Sequence, residues 1–180
     1  MHELITFRTE RLIMRVTGEE DAAFYLALLN SPGWLQHIGD RQVYTEEAAA
    51  EYIRNRVLPQ QERLGFSSYT MLRADDGVKM GVCGLYDRAG LEGVDLGFAL
   101  LPEYYGFGYA FEAAEALLDI AQKDLQLTEF LAITSQDNHA SIKLLSKLGF
   151  VISGTTILPG EEEELYLHIL RTQRGADHDR

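Results

Sequence analysis

Two glycines separated by one residue lie between stretches that predict different secondary structures. Residues 94–101 form an apolar run interrupted by one acid and one glycine, which is typical of a buried strand. From Tyr109 onward, apolar residues recur with helical spacing and acidic residues occupy the opposite face. Gly106 and Gly108 permit a tight turn between the two because they lack a Cβ atom. A helix that starts directly after such a turn points backbone N–H groups and its positive dipole end at one place, which suits a phosphate.

The glycine pair is a weak signal by itself, because such pairs usually mark only a turn. The sequence contains neither G-x-G-x-x-G nor G-x-x-x-x-G-K-[S/T], and the missing lysine argues against a plain nucleotide-binding domain. The context adds information. Gly97 lies inside the predicted strand, where a bulge could expose backbone groups to a ligand.

A second block follows one strand later and reads N-x-x-S-x-x-L-L-x-K-x-G-F over residues 138–150. Together the two blocks resemble the GNAT N-acetyltransferases, particularly the Rim-type branch that includes N-terminal acetylases of ribosomal proteins. The acetyl-CoA signature of that family, Q/R-x-x-G-x-G/A, matches residues 105–110 with Tyr105 in its first place. The resemblance extends from Thr9-Glu10-Arg11-Leu12 to the last predicted strand.

The predicted order of elements is β-α-α-β-β-β-α-β-α-β-β, which indicates a mixed sheet with helices on both sides. We expect the strands predicted at residues 66–73, 78–87 and 94–101 to form an antiparallel meander. The helix that begins at Tyr109 should connect two strands that are parallel to each other. The resemblance implies a mixed α/β fold of six to seven twisted strands with about four helices, in which two splayed parallel strands hold the coenzyme. We therefore expect one domain over residues 1–171 and a frayed tail over residues 172–180.

The resemblance also implies the cofactor, which is acetyl-CoA acting as co-substrate, and the residues that bind it. Strand residues would contact the pantetheine arm, loop residues would present N–H groups to the pyrophosphate, and one residue of the second block would hold the arm from the other side. The strand residues are Phe98, Ala99 and Leu100, the loop residues are Gly106, Phe107, Gly108, Tyr109 and Ala110, and the residue of the second block is Asn138.

One position departs from the family pattern. Relatives often carry Lys or Arg between the two glycines, whereas this chain has Phe107. We expect weaker coenzyme affinity with the site retained, because binding then depends on backbone N–H groups and the helix dipole. Lys143 or Lys147 could add distant charge.

Asp95 is the candidate general base, because it lies three to five residues before the predicted pantetheine contacts. Relatives frequently have Glu at this place. Since aspartate is shorter by one methylene, it could act through a water molecule. The alternative is that Asp95 pairs with an arginine such as Arg88 or orders the end of the strand.

Ser141 is the candidate group for the coenzyme sulfur. Many acetyltransferases of this fold carry a tyrosine four residues before the G-F pair, but Leu145 occupies that place here. In Rim-type relatives a serine three residues after the asparagine is proposed to serve the sulfur, and Ser141 matches it. The alternative is a first-turn serine that bonds only to backbone. Tyr104, Tyr105 and Tyr109 are further candidate donors.

The connector at residues 34–41 carries Trp34 and His37, which we consider for the acceptor side. In this fold the N-terminal helices border the acceptor, so both side chains could line an amine pocket. The alternative is that Trp34 caps the core and His37 is merely exposed.

Composition narrows the class of protein and its partners. A net charge of −12 makes a nucleic-acid partner improbable, because phosphate neutralisation needs basic surface. The acidity could favour a cationic amine or could serve only solubility. No apolar run is long enough for a membrane span, and no secretory segment is evident, so we expect a cytoplasmic protein. We also expect no bound metal, and either a monomer or a homodimer. Cys83, the single cysteine, has no visible base partner, which disfavours a covalent enzyme intermediate.

These observations predict an acetyl-CoA-dependent N-acetyltransferase that works by direct attack in a ternary complex. The acceptor would be a protein N-terminus, a small amine or polyamine, or an antibiotic amine. An α-amine needs less help than a lysine because a larger fraction of it is neutral near pH 7. The alternative function is a non-catalytic acetyl-CoA-binding sensor or scaffold.

Overall fold

The computed structural model describes residues 6–172, which form a single eight-stranded sheet with helices on both faces. The strand order is β1-β2-β3-β4-β5-β6-β8-β7. The strands are β1 Phe7–Arg8, β2 Leu12–Val16, β3 Ser68–Arg73, β4 Lys79–Tyr86, β5 Asp95–Leu100, β6 Glu129–Thr134, β7 Val151–Thr156 and β8 Leu165–Arg171. The helices are α1 Ala22–Leu29, α2 Pro32–His37, α3 Glu46–Tyr52, α4 Leu58–Leu64, α5 Tyr109–Asp124 and α6 His139–Leu148.

The predicted mixed α/β class is confirmed, and the element counts are slightly higher than expected. The additional strand is β1, whose two residues pair with β2 at the edge of the sheet. One additional helix is α2, which lies where a connector was expected, and the other arises because one expected helix is divided into α3 and α4. Apart from Thr172, the expected frayed tail over residues 172–180 lies outside the described residues.

Thr45 is a plausible N-cap in the sequence and predicts a helix from Glu46 to about Arg63, which in the structure is continuous but irregular. A π-helical turn at Ile53–Val57 separates α3 from α4. Pro59 lies two residues after this turn and has no N–H to donate to the carbonyl of Asn55 within it. The lost hydrogen bond explains why the regular α-helical ladder is interrupted at this point.

The topology brings the predicted binding elements to the carboxyl ends of two neighbouring strands inside the sheet. β3, β4 and β5 form the expected antiparallel meander, and β5 and β6 are parallel. Because α5 connects β5 to β6, its first turn lies at the carboxyl end of β5. In open α/β sheets, ligands bind beyond the carboxyl ends of parallel strands.

Each face of the sheet has its own apolar core. Ala113, Leu117 and Leu145 place α5 and α6 against one cluster of buried residues. Tyr25 and Ala49 place α1 and α3 in a second cluster on the other face. The two layers of helices therefore cover opposite faces of the sheet.

A buried carboxylate fixes the start of the α1 layer to the sheet. Asp21 lies just before α1 and accepts hydrogen bonds from Arg15 (2.6 Å) and Thr70 (2.9 Å), while Lys79 Nζ lies 2.7 Å away. Burial works against the charged carboxylate, but the hydrogen bonds from Arg15 and Lys79 outweigh it and lower the pKa of Asp21. This network ties α1 to three strands and so helps to fix α2, which follows α1 directly.

No helix among residues 6–172 combines the length and apolar character needed to cross a membrane.

Candidate functional site

The parallel strands β5 and β6 pair only at their beginnings. One residue pair, Asp95 with Leu131, is in register, and the Leu131 N–H donates to the Val94 carbonyl at 2.9 Å. β5 continues to Leu100 and β6 to Thr134 without further pairing between them. The strands therefore diverge and leave a cleft that opens towards their carboxyl ends.

The alternation of backbone groups along β5 determines which residues face this cleft. The Leu101 N–H donates to Met80 of β4, whereas the Val94 carbonyl faces β6. Since successive residues in a strand direct their N–H and C=O groups to opposite sides, Phe98 and Leu100 present theirs to the cleft. The amide of Ala99 faces β4, so Ala99 can line the cleft only with its side chain.

The glycine loop between β5 and α5 has the conformation that the sequence predicts. Gly106 and Gly108 have φ values of 83° and 81°, in the left-handed region that favours glycine. Gly108 is the N-cap of the sixteen-residue helix α5, and no side chain caps it. Within the described part of the chain, the N–H groups of residues 106–110 have no hydrogen-bond acceptor. The loop thus presents unpaired donors at the positive end of a helix dipole, next to the cleft.

Phe107 projects from this loop and is 60% exposed. Its ring lies 5.9 Å from that of Tyr109 in a tilted arrangement. Residues 105–110 carry no charged side chain, and the one charged residue of the loop is the acidic Glu103.

Asp95 lies at the start of β5 with its side chain buried and paired. The residue is 0% exposed, and Arg88 Nε lies 3.0 Å from both carboxylate oxygens. Burial raises the pKa of Asp95 because removing the carboxylate from water costs more than Arg88 returns. The arginine partner is the one that the sequence offered as the alternative role of Asp95. A raised pKa is also what a general base near neutral pH requires.

The start of α6 places Asn138 and Ser141 side by side. Asn138 is the N-cap, and its Oδ1 accepts the Ser141 N–H at 3.2 Å. The side-chain oxygen of Asn138 is therefore bonded to the helix, while its side-chain nitrogen remains available to a ligand. Among the described residues, the Ser141 hydroxyl has no hydrogen-bond partner, so it is free to contact a ligand.

Helix α2 lies across the open end of the cleft on the α1 side. His37 Nδ1 lies 2.9 Å from the Ser135 hydroxyl, just after β6, and 3.6 Å from Asp137 Oδ1. At the other end of α2, a Cβ atom on Gly33 would lie 2.4 Å from the Tyr105 hydroxyl, so this helix also packs on the glycine loop. α2 consequently bridges the segments that follow the two diverging strands.

Trp34 packs against the second core cluster together with Ala99 and Leu101. Its indole N–H is buried and has no hydrogen-bond partner among residues 6–172. A buried unpaired donor usually marks a site where water or a ligand supplies the missing acceptor.

The sequence did not identify three side chains that the structure adds to the site. Ser135 and Asp137 contact His37, and Arg11, which immediately precedes β2, contacts the glycine loop. Ser135 and Asp137 follow a predicted strand directly, which was a usable signal. Arg11 was visible only as part of the family resemblance.

Other features of the surface lie apart from this site. A cleft of about 240 Å³ between α5, α6 and β8 is lined by Glu115, Asp119, Gln122 and Lys147 among others, and it includes none of the predicted site residues. Among residues 6–172, no group of three His, Cys, Asp or Glu side chains is arranged to hold a metal ion.

Comparisons with known proteins agree with this architecture. The family model described as "Acetyltransferase (GNAT) domain" matches residues 11–151. The uncharacterized N-acetyltransferase YoaA of Bacillus subtilis is 26% identical over 147 residues, covering 81% of this chain and 82% of YoaA. An acetyltransferase structure from Agrobacterium tumefaciens superposes with a TM-score of 0.79 at 23% identity, covering 96% of this chain and 97% of the other.

A structure of RimL, a ribosomal L7/L12 alpha-N-protein acetyltransferase in complex with coenzyme A, superposes with a TM-score of 0.77 at 17% identity. That match covers 91% of this chain and 96% of RimL. The diverging strands, the glycine loop and the family match over most of the sequence lead to one conclusion. The chain belongs to the GNAT family of acetyltransferases.

Proposed function

We propose that the chain transfers the acetyl group of acetyl-CoA to a primary amine by direct attack in a ternary complex. The observation that carries this proposal is the set of unpaired backbone donors. The amides of Phe98 and Leu100 face the cleft, and those of residues 106–110 are unpaired on the loop beside it. An extended pantetheine arm could pair with the first set like an added strand, and the diphosphate could bind the second set.

The same backbone groups suit the chemistry. The amine nitrogen forms a bond to the thioester carbon, and the carbon–sulfur bond breaks as the thiolate leaves. The carbonyl oxygen carries negative charge between these events and needs an N–H donor, for which an unpaired β5 amide is positioned. Loss of one such donor typically costs about 10²- to 10³-fold in rate.

Asp95 is the proposed base that takes the proton of the amine. Its buried position and raised pKa support this role, and its contact with Arg88 makes transfer through a water molecule the more accessible route. Ser141 is the proposed hydrogen-bond donor to the sulfur. Because an ordinary thiol has a pKa near 8.5, the thiolate leaves without a strong acid.

A protein N-terminus or small amine is the proposed acceptor, as in the Rim-type branch. The N-x-x-S-x-x-L-L-x-K-x-G-F block over residues 138–150 and the structural similarity to RimL support this assignment. An α-amine near pKa 7.8 is partly neutral at physiological pH, so a buried aspartate acting through water provides sufficient help. Trp34 and His37 on α2 would line the acceptor side, where the unpaired indole N–H could bind a carbonyl of the acceptor.

The proposal is tested by titrating the wild-type chain with acetyl-CoA in a calorimeter and then assaying thiol release with a panel of amines. The panel contains peptides with free N-termini, the same peptides acetylated at the N-terminus, and polyamines. We expect heat on binding and thiol release only with free amines. Absence of binding heat would overturn the proposal, and tight binding without thiol release for any amine would indicate a sensor instead.

Replacing His37 with alanine should raise the KM for the acceptor roughly 2- to 10-fold and leave the KM for acetyl-CoA unchanged. The variant loses one hydrogen-bonding side chain at the cleft mouth, and such bonds contribute about 0.5–1.5 kcal/mol. Steady-state kinetics with the best amine of the panel measures both constants. Leu35→Ala is the control, because Leu35 lies on the same helix and is exposed. Equal effects of the two variants would remove His37 from the acceptor site.

A further inference from the structure

The side chain of Arg11 lies directly on the glycine loop. Its Nη1 donates to the Phe107 carbonyl at 2.9 Å, and its Nε donates to Glu112 Oε1 at 2.7 Å. The guanidinium carbon also lies 4.5 Å from the centre of the Tyr109 ring. Arg11 therefore contacts the loop, the first residue of α5 and the first turn of that helix.

The contact with Phe107 fixes the direction of one particular amide. The described residues contain no cis peptide bond, so the carbonyl of Phe107 and the N–H of Gly108 point in opposite directions. Because the carbonyl points at Arg11, the Gly108 N–H points away from Arg11, and it has no acceptor among the described residues. A charged donor on the carbonyl also polarises the peptide, which makes its N–H a stronger donor.

Glu112 holds Arg11 in this position. Its carboxylate accepts the Thr9 hydroxyl at 2.5 Å and the Arg11 backbone N–H at 3.0 Å, in addition to Arg11 Nε. Burial works against this carboxylate, but the hydrogen bonds from Thr9 and Arg11 lower the pKa of Glu112 and keep it ionised. The guanidinium is consequently fixed by the Phe107 carbonyl, the Tyr109 ring and one ion pair, while 41% of the side chain stays exposed.

The Arg11 contacts place a cation beside Phe107, the position where relatives often carry Lys or Arg. The loop lacks the cation that relatives often place between the glycines, and the chain as a whole carries a net charge of −12. Arg73 also lies near the loop, 5.8 Å from the centre of the Tyr104 ring, but it pairs with Asp76. Arg11 lies against the glycines themselves, since its Nη2 would be 3.5 Å from a Cβ atom on Gly108.

We propose that Arg11 is a positioning residue for the coenzyme diphosphate. Its guanidinium holds the Phe107–Gly108 peptide with the N–H turned outward and adds positive charge beside a loop that has none. This proposal rests on the proposed use of acetyl-CoA, and it assigns a specific role to a side chain from the opposite end of the chain.

The test compares Arg11→Ala with Arg171→Ala by calorimetry with coenzyme A. Arg171 also pairs with a single glutamate, Glu129, but on strands away from the loop. We expect Arg11→Ala to weaken coenzyme A binding about 10- to 100-fold, since a charge-assisted hydrogen bond is involved. Arg171→Ala should leave the affinity unchanged. Arg11→Lys should fall between wild type and alanine, because lysine retains the charge without the planar fork that reaches both partners.

One further measurement separates positioning from simple support of the fold. Pantetheine, which lacks the diphosphate, should shift the melting temperature of wild type and Arg11→Ala equally at millimolar concentration. Unchanged coenzyme A affinity in Arg11→Ala and Arg11→Lys would overturn the inference, as would equal weakening of both ligands. If the wild-type chain itself fails to bind coenzyme A, the proposed function fails instead, so the two failures are distinguishable.

Discussion

Replacing Gly108 with valine should weaken coenzyme A binding on the order of 10²-fold or more. Gly108 has a φ of 81°, where a β-branched residue is a genuine outlier. A Cβ atom there would meet Arg11 Nη2 at an ordinary contact distance of 3.5 Å, so the obstacle is backbone strain and not a clash. The loop would relax by rotating the amides around Gly108 away from the diphosphate. Each hydrogen bond to a charged group contributes about 1.5–3 kcal/mol, and two of them account for the predicted loss.

Gly77→Val is the matched control for this experiment. Gly77 has a φ of 73°, lies in the turn between β3 and β4, and has no atom within 4 Å of an added Cβ. Both variants should lose similar stability, about 1–2 kcal/mol for the left-handed conformation. Calorimetry with coenzyme A and thermal unfolding of the free proteins measure the two effects separately. Equal coenzyme affinity in the two variants would show that the glycine loop does not bind the diphosphate.

The glycine loop could be predicted because its signals are local. The apolar run over residues 94–101 corresponds to β5, and the periodicity beginning at Tyr109 corresponds to α5. The alternation of amides along β5 was not predicted, because it depends on which neighbouring strand each residue faces. Only the pairing of Leu101 with β4 and of Val94 with β6 reveals that Ala99 turns its amide away from the cleft.

Helix α2 shows where a local signal was interpreted incorrectly. The sequence Asn30-Ser31-Pro32-Gly33 predicts the end of a helix near Leu29, which is confirmed, and a connector over residues 34–41, which is wrong. In the structure Ser31 is the N-cap and Pro32 occupies the first helical turn, where its missing N–H costs nothing. The same proline thus begins a helix, and this helix carries Trp34 and His37 to the cleft.

Contacts between distant parts of the sequence determine the rest of the site. Arg88 and Asp95 are seven residues apart, and their pairing was anticipated as an alternative. Arg11 and Glu112 are 101 residues apart. Their contact depends on the packing of α5 against the N-terminal strands, which no local pattern in the sequence encodes.

Replacing Asp95 with asparagine should lower kcat about 10²- to 10⁴-fold if Asp95 is the general base. The pH dependence should change in a specific way. Because burial raises the pKa of Asp95, the wild-type enzyme loses its base as the pH falls through that pKa. Below that pKa, both the amine and Asp95 must lose a proton for reaction. The slope of log(kcat/KM) against pH should therefore be steeper by about one unit there. The asparagine variant should lack this second step.

Arg88→Met separates this catalytic effect from loss of the ion pair. Both substitutions remove the ion pair between Arg88 and Asp95, and removing one partner of a buried ion pair typically costs about 3–5 kcal/mol of stability. Only Asp95→Asn removes the carboxylate. If Asp95 merely orders the strand, the two variants should lose similar activity and keep the wild-type pH profile. If Asp95 takes the proton, Arg88→Met should retain much more activity at high pH, where its carboxylate is ionised, and its acid limb should move to higher pH because the stabilising cation is gone.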